Sequence, residues 1–160
     1  MDRMRESMFA ALGDLHGIRF LDLFAGSGIM TLEALSRGAR MALLIERDGR
    51  KKRIILENLR IAEEDETNLD GVELRIMPVE RVLRRGIPRY DVVCIDPPFA
   101  MNNKEELLVL ADRAGQPTPG GTLILHYPSV NRLPDSTDNL RLQNIRGYGQ
   151  SRLAFYTRDN

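Results

Sequence analysis

Three stretches of this 160-residue chain carry acidic or backbone groups suited to holding a nucleoside and acting on an amine. In Asp22-Leu23-Phe24-Ala25-Gly26-Ser27-Gly28 two glycines stand where an apolar run gives way to a helical pattern. Their missing Cβ atoms let backbone approach a ligand closely. Glu46 ends the next apolar run. If the two runs are adjacent parallel strands, its carboxylate lies beside the turn and can accept from two ribose hydroxyls. The same residues also fit a plain strand-to-helix turn followed by a solvated strand-end acid. Position 31, where a dinucleotide fingerprint has its third glycine, is Thr31, which argues against NAD. Asp22 suits a cofactor with a cationic amine better than a pyrophosphate, and the other reading makes it a turn-stabilising carboxylate. S-adenosylmethionine combines such an amine with a ribose and a positive sulfonium.

The third stretch, Asp96-Pro97-Pro98-Phe99, directly follows a buried-type run. Two prolines there forbid strand continuation and immediate helix formation, so the chain leaves in a stiff extended loop. Neither proline has an amide hydrogen, and the loop therefore offers carbonyls without competing donors. The Asp96 carboxylate and the Pro97 carbonyl can accept the two hydrogens of an exocyclic NH2 group while Phe99 stacks on the base. An aromatic amine is a poor nucleophile, so positioning and electrostatics against a sulfonium methyl supply the chemistry. A proline-rich strand exit with a core Phe is the alternative for this tetrapeptide alone.

The elements that must position these groups alternate along the chain. A short amphipathic helix over Arg3 to Leu12 precedes a strand at Ile18 to Phe24, a helix at Ile29 to Arg37 and a strand at Met41 to Ile45. A helix over Arg50 to Ala62 follows, with Ile54, Ile55, Leu59 and Ala62 as its apolar stripe. Next come a strand at Val72 to Met77, a helical piece at Val79 to Arg85 and a strand at Asp91 to Ile95. The helix Glu105 to Ala114, the turn Pro119-Gly120-Gly121 and the strand Thr122 to Tyr127 complete the alternation. Leu140 to Ile145 and Arg152 to Thr157, separated by Gly147-Tyr148-Gly149, read as an antiparallel hairpin at a sheet edge. The class is α/β, with right-handed βαβ units, a mostly parallel sheet and a single domain over residues 1–160.

Composition narrows the rest. Lys and Arg number 23 against 23 Asp and Glu, with 42% hydrophobic residues, which excludes a disordered chain and a histone-like polycation. A local basic face is still compatible with zero net charge. The single Cys94 excludes an internal disulfide and a cysteine-based zinc site, and no metal site is expected. No apolar run approaches a membrane span and the first residues lack a signal-peptide core, so a cytoplasmic protein with no membrane partner is expected.

Taken in order, Asp2 to Phe9, Leu21 to Gly28, Leu32 to Ala39, Ile45 to Asp48, Asp96 to Phe99 and the Gly147 to Gln150 hairpin resemble the RsmD-type 16S ribosomal RNA guanine-N2 methyltransferases. The resemblance implies a Rossmann-like class I S-adenosylmethionine-dependent methyltransferase with strand order 3-2-1-4-5-7-6 and helices on both faces. Its reaction would be methyl transfer to N2 of a guanine in 16S rRNA or a small-subunit assembly particle; a monomer is the default expectation for a chain of this size. By position it assigns Asp22, Phe24, Ala25, Gly26, Ser27 and Gly28 to the methionyl part of the cofactor and Glu46 to the ribose. Arg47 and the segment around Val79 would flank the adenine, while Asp96, Pro97, Pro98 and Phe99 would hold the target base, with Asp96 also near the cofactor. The basic stretch that family members carry before the Asp2 to Glu6 motif is expected to be absent, which bears on RNA affinity.

Arg50-Lys51-Lys52-Arg53, near Arg47, opposes the dipole of the helix it begins, and Arg81, Arg84, Arg85 and Arg89 cluster farther on. The first cluster is either a solvated helix face or a phosphate contact. The acidic run Glu63-Glu64-Asp65-Glu66 reads as an exposed loop. His16 and His126 lack metal-ligand spacing and are expected to be structural or superficial, Cys94 to be a small buried hydrophobe. Arg5 and Glu6 either cap the first helix or close over the cofactor. The rival activities are adenine-N6 methylation of DNA or RNA, a non-catalytic cofactor- or RNA-binding module, and an NAD-dependent oxidoreductase.

Overall fold

Short runs of Leu, Ile and Val with little alternation are buried on both sides, and they pair in parallel between two layers of helices. A computed structural model describes residues 2–160; Met1, the first residue of the expected domain, lies outside them. The elements are α1 Asp2–Leu12, β1 Arg19–Leu23, α2 Ile29–Ser36, β2 Met41–Glu46, a 3-10 turn Gly49–Lys51, α3 Lys52–Glu64 and β3 Val72–Ile76. They continue with α4 Val79–Arg85, β4 Val92–Ile95, α5 Lys104–Arg113, β5 Thr122–Pro128, β6 Leu140–Tyr148 and β7 Ser151–Arg158. All strands join one sheet in the order β3-β2-β1-β4-β5-β7-β6, the order the resemblance implies. β1 pairs in parallel with β2 and β4, and β7 lies antiparallel between β5 and β6.

Residue alternation assigns the faces. Leu21, Leu23, Leu43, Ile45, Val93, Ile95, Leu123 and Leu125 point to the layer formed by α4 and α5. Phe20, Ala42, Val92, Cys94, Ile124 and Leu153 point to α1 and α2, while Leu44 meets Ile55 and Leu59 of α3. Cys94 is buried as expected, and burial pushes its thiol well up. Among the described residues no helix is long and apolar enough to cross a membrane.

Three local expectations change. Ile54 is 46% exposed, because the core-facing stripe of α3 narrows to Ile55 and Leu59. Glu63 and Glu64 belong to the last turn of α3, so only Asp65 and Glu66 of the acidic run form the exposed loop. Gly147 and Tyr148 extend β6, and the hairpin reverses at Gly149-Gln150, where Gly149 has φ +58°.

Candidate active site

The sheet order reverses direction at β1. The connection after β1 leads to α2 on one face, and the connection after β4 leads to α5 on the other. The loops at the carboxyl ends of these neighbouring strands therefore part, and a crevice opens between them. It holds a cavity of about 780 Å³, walled by Phe24 to Ser27, Glu46 to Lys51, Asp96, Pro97 and Pro98, with Arg5, Ile29, Met30 and Met101 at its edges. Nine of the sequence-predicted residues meet there: Phe24, Ala25, Gly26, Ser27, Glu46, Arg47, Asp96, Pro97 and Pro98. A groove of comparable volume between α4 and α5, about 730 Å³, contains none of them.

The glycine turn is tight and held on every side. Phe24, Gly26 and Gly28 all have positive φ, at +66°, +61° and +84°. For Phe24 this left-handed conformation is strained, a feature that concentrates at functional sites. A Cβ built on Gly26 would meet nothing within 4 Å and would enter open space at the cavity wall, whereas one on Gly28 would press Leu44 at 3.4 Å and Ile55 at 3.6 Å. Gly28 thus packs the turn against α3 and does not line the cavity. The Glu46 carboxylate joins the two loops: Gly26 N–H donates to its Oε1 at 2.8 Å and Asp48 N–H to its Oε2 at 2.8 Å. Each oxygen keeps a lone pair, enough for a pair of hydroxyl donors. Asn58 Nδ2 donates to the Ser27 carbonyl at 2.9 Å and fixes the turn to α3.

Asp22 lies beneath this turn, 1% exposed, outside the cavity wall. Thr31 Oγ1 donates to its Oδ2 at 2.7 Å, so the residue that replaces the third glycine is the hydrogen-bond partner of the acid. Burial pushes the Asp22 carboxyl up to about 7; the Thr31 hydroxyl opposes the rise, and repulsion from Asp96 and Glu46 adds to it. The Thr31 bond ties Asp22 into the turn, the stabilising role of one sequence reading.

Asp96 continues the ladder of β4 for one residue, its N–H donating to Leu23 O at 3.2 Å, before the prolines turn the chain away. Two side chains hold the loop, and sequence reasoning missed both roles. Lys104 is 3% exposed and donates from Nζ to the carbonyls of Phe99, at 3.0 Å, and Met101, at 2.5 Å; burial lowers its pKa. His126, expected to be structural or superficial, is 4% exposed with its Nδ1 2.8 Å from Asp96 Oδ1. Its place one residue beyond the Ile95↔Leu125 register was the only sequence signal, legible only once β4 and β5 were known to be neighbours.

Phe99 stands outside the cavity wall, 48% exposed, with its ring edge-on to His126. Val79 is 1% exposed in the core with Leu43 and Ile45 and is not among the residues of the cavity wall. Arg5 lines the cavity and approaches Glu33 at 3.7 Å, while Glu6 is exposed. The 3-10 turn receives Arg50 and Lys51, and Asp48 offsets part of their conflict with the helix by accepting from Arg50 N–H at 2.9 Å. Exposed Arg47, Arg50, Lys51, Lys52 and Arg53 form a basic rim. Arg84 and Arg85 end α4, with Arg89 in the connection to the amino end of β4, the opposite end of the sheet from the cavity. There Arg84 and Arg85 favour the helix dipole.

The residues present fit a nucleoside cofactor of the S-adenosylmethionine type. The cavity has the size of a small-molecule site, the wall at Gly26 leaves room a side chain would fill, and Glu46 presents a carboxylate to hydroxyls. The family profile described as Conserved hypothetical protein 95 matches residues 1–157. Ribosomal RNA small subunit methyltransferase D of Escherichia coli (strain K12) is 30% identical over 99% of this chain and 78% of that protein. A solved structure of a conserved hypothetical protein from Streptococcus pyogenes superposes with a TM-score of 0.87 at 27% identity, over 97% of this chain and 95% of that one. An RNA methyltransferase from Salinibacter ruber, solved with S-adenosyl-L-homocysteine, shares the fold at a TM-score of 0.73 and 17% identity, over 100% and 93% of the two chains. With the profile covering almost the whole sequence and the Escherichia coli relative aligned over 99% of it, the chain belongs to the Conserved hypothetical protein 95 family of RsmD-type methyltransferases.

Proposed function

We propose that this protein transfers a methyl group from S-adenosylmethionine to the exocyclic N2 amine of a guanine in 16S rRNA, acting as a monomer on the RNA or on a small-subunit assembly particle. The observation that carries the reading is the convergence of the Glu46-anchored glycine turn and the Asp96-Pro97 loop on one cavity at the reversal point of the sheet. When bound, the cofactor supplies an electrophilic methyl carbon attached to a positive sulfur. Glu46 accepts from the ribose hydroxyls, and the buried charge of Asp22 attracts the methionyl amine. Asp96 and the Pro97 carbonyl accept the two amine hydrogens of the target base and so aim the nitrogen lone pair, while Phe99 supplies an aromatic face. Asp96 receives the amine proton released by the substitution. The base must be unpaired or extruded to present its amine to this loop.

The test is methylation of undermethylated small ribosomal subunits by wild type and Asp96→Ala, followed by digestion and mass analysis of the nucleosides. N2-methylguanosine is expected from wild type, with a loss of about 100-fold or more in the variant and S-adenosylmethionine binding nearly unchanged. N6-methyladenosine would overturn the base assignment. A wild type that binds no S-adenosylmethionine would overturn the reading itself.

A further inference from the structure

The exit of β4 and the end of β5 lie side by side, and at that point a histidine faces the aspartate. Ile95 pairs with Leu125, so Asp96 and His126 are the next residues across the ladder. Cys94 and Ile124, two residues earlier, belong to the core under α1 and α2, which places His126 on that buried side. His126 Nδ1 is 2.8 Å from Asp96 Oδ1, and the imidazole is 5.0 Å from the Phe99 ring at an interplanar angle of 63°. Its Nε2 is buried with no hydrogen-bond partner among the described residues. A carboxylate can only accept, which assigns the hydrogen to Nδ1; Nε2 is then a bare lone pair, a smaller penalty than an orphaned N–H. The imidazole therefore occupies one carboxylate oxygen of Asp96 and, through its other edge, abuts Phe99.

We propose that His126 is a positioning residue for base acceptance. Its Nδ1–H fixes the Asp96 carboxylate so that the second oxygen alone is presented to the amine, the other amine hydrogen falling to the Pro97 carbonyl. Its ring sets the plane of Phe99 against which the base stacks. The two residues that follow Asp96, Pro97 and Pro98, offer it no N–H group. Cofactor affinity does not depend on His126, which is absent from the cavity wall, whereas the chemical step does. This inference rests on the proposed amine methylation and adds to it the group that orients the acceptor.

Two substitutions separate the two contacts. His126→Phe keeps a ring edge beside Phe99 and removes the donor; His126→Asn keeps a donor near the Nδ1 position and removes the ring. Under the proposal His126→Phe lowers kcat about 10- to 100-fold, the range of a lost hydrogen bond to a charged group, while the Kd for S-adenosylmethionine stays within about twofold. His126→Asn recovers kcat to within about threefold of wild type and raises KM for RNA. Wild-type kcat in His126→Phe overturns the proposal, as do equal kcat losses in both variants with matching falls in Tm, the signature of a merely structural histidine. If wild type methylates no RNA, the function reading fails by itself. The imidazole nitrogen NMR signals of His126 then decide the positioning claim: an Nδ1–H signal displaced by Asp96→Ala supports it, and an unchanged one overturns it.

Discussion

Replacing Asp22 by Asn is expected to make the protein more stable at pH 8 and to leave its stability at pH 4 nearly unchanged. The carboxyl is 1% exposed and held up at about 7, against about 3.9 in an unfolded chain. Between those values the folded protein keeps a proton that the unfolded chain has released. The native state binds more protons, so stability falls as pH rises from about 4 to about 7 and is level above that. Some three pH units at 1.36 kcal/mol each set an upper bound of about 4 kcal/mol for the loss at pH 8. Asn keeps an oxygen to accept from Thr31 Oγ1, which donates to Asp22 at 2.7 Å, and it carries no charge. Urea unfolding of both proteins at pH 4.5, 6, 7 and 8 measures the difference, because titrating groups that do not interact with Asp22 cancel between them. A gap growing to about 2–4 kcal/mol at pH 8 is expected; parallel curves, or a less stable variant at pH 8, would refute the reasoning. The same variant is expected to bind S-adenosylmethionine more weakly in calorimetric titration, since the destabilising charge is the one that attracts the methionyl amine.

Phe24 gives a second stability test. Its φ of +66° is strained for any residue with a Cβ, so Phe24→Gly should be at least as stable as Phe24→Ala, by up to about 1 kcal/mol in urea unfolding. An ordinary position would favour Ala. Neutralising Arg50, Lys51, Lys52 and Arg53 together should weaken RNA binding and reduce the slope of log K against log salt by about 0.7–0.9 for each phosphate that the rim neutralises. An unchanged slope would remove this rim from the interface. The matching change at Arg84, Arg85 and Arg89 should leave the slope as it is, because these residues lie at the opposite end of the sheet from the cavity.

How far a residue's role was legible tracks the range of the forces that set it. The strands declared themselves because a parallel strand covered on both faces must be apolar along its length, as in Met41 to Ile45 and Asp91 to Ile95. The glycine turn, Glu46 and the double proline were legible for an equally local reason: backbone conformation at Gly26, Gly28, Pro97 and Pro98 is restricted by the residues themselves. Helix faces were less so. Ile54 looked like part of the stripe of α3, and only the width of the contact with β2 showed that Ile55 and Leu59 suffice.

The sequence alone therefore determined the order of elements, the reversal of the chain after Asp22 and after Asp96, and the chemical character of the three segments that form the cavity. It determined these because they follow from local sterics, periodicity and residue type. Tertiary structure decided which of those groups face one another. It buried Asp22 against Thr31, withdrew Val79 and Gly28 into packing roles, and set Arg84, Arg85 and Arg89 at the opposite end of the sheet from the basic rim. It also brought His126 within 2.8 Å of Asp96 across 30 residues of chain. Such pairings depend on strand order and register, which long-range packing of the whole sheet sets and no window of sequence contains.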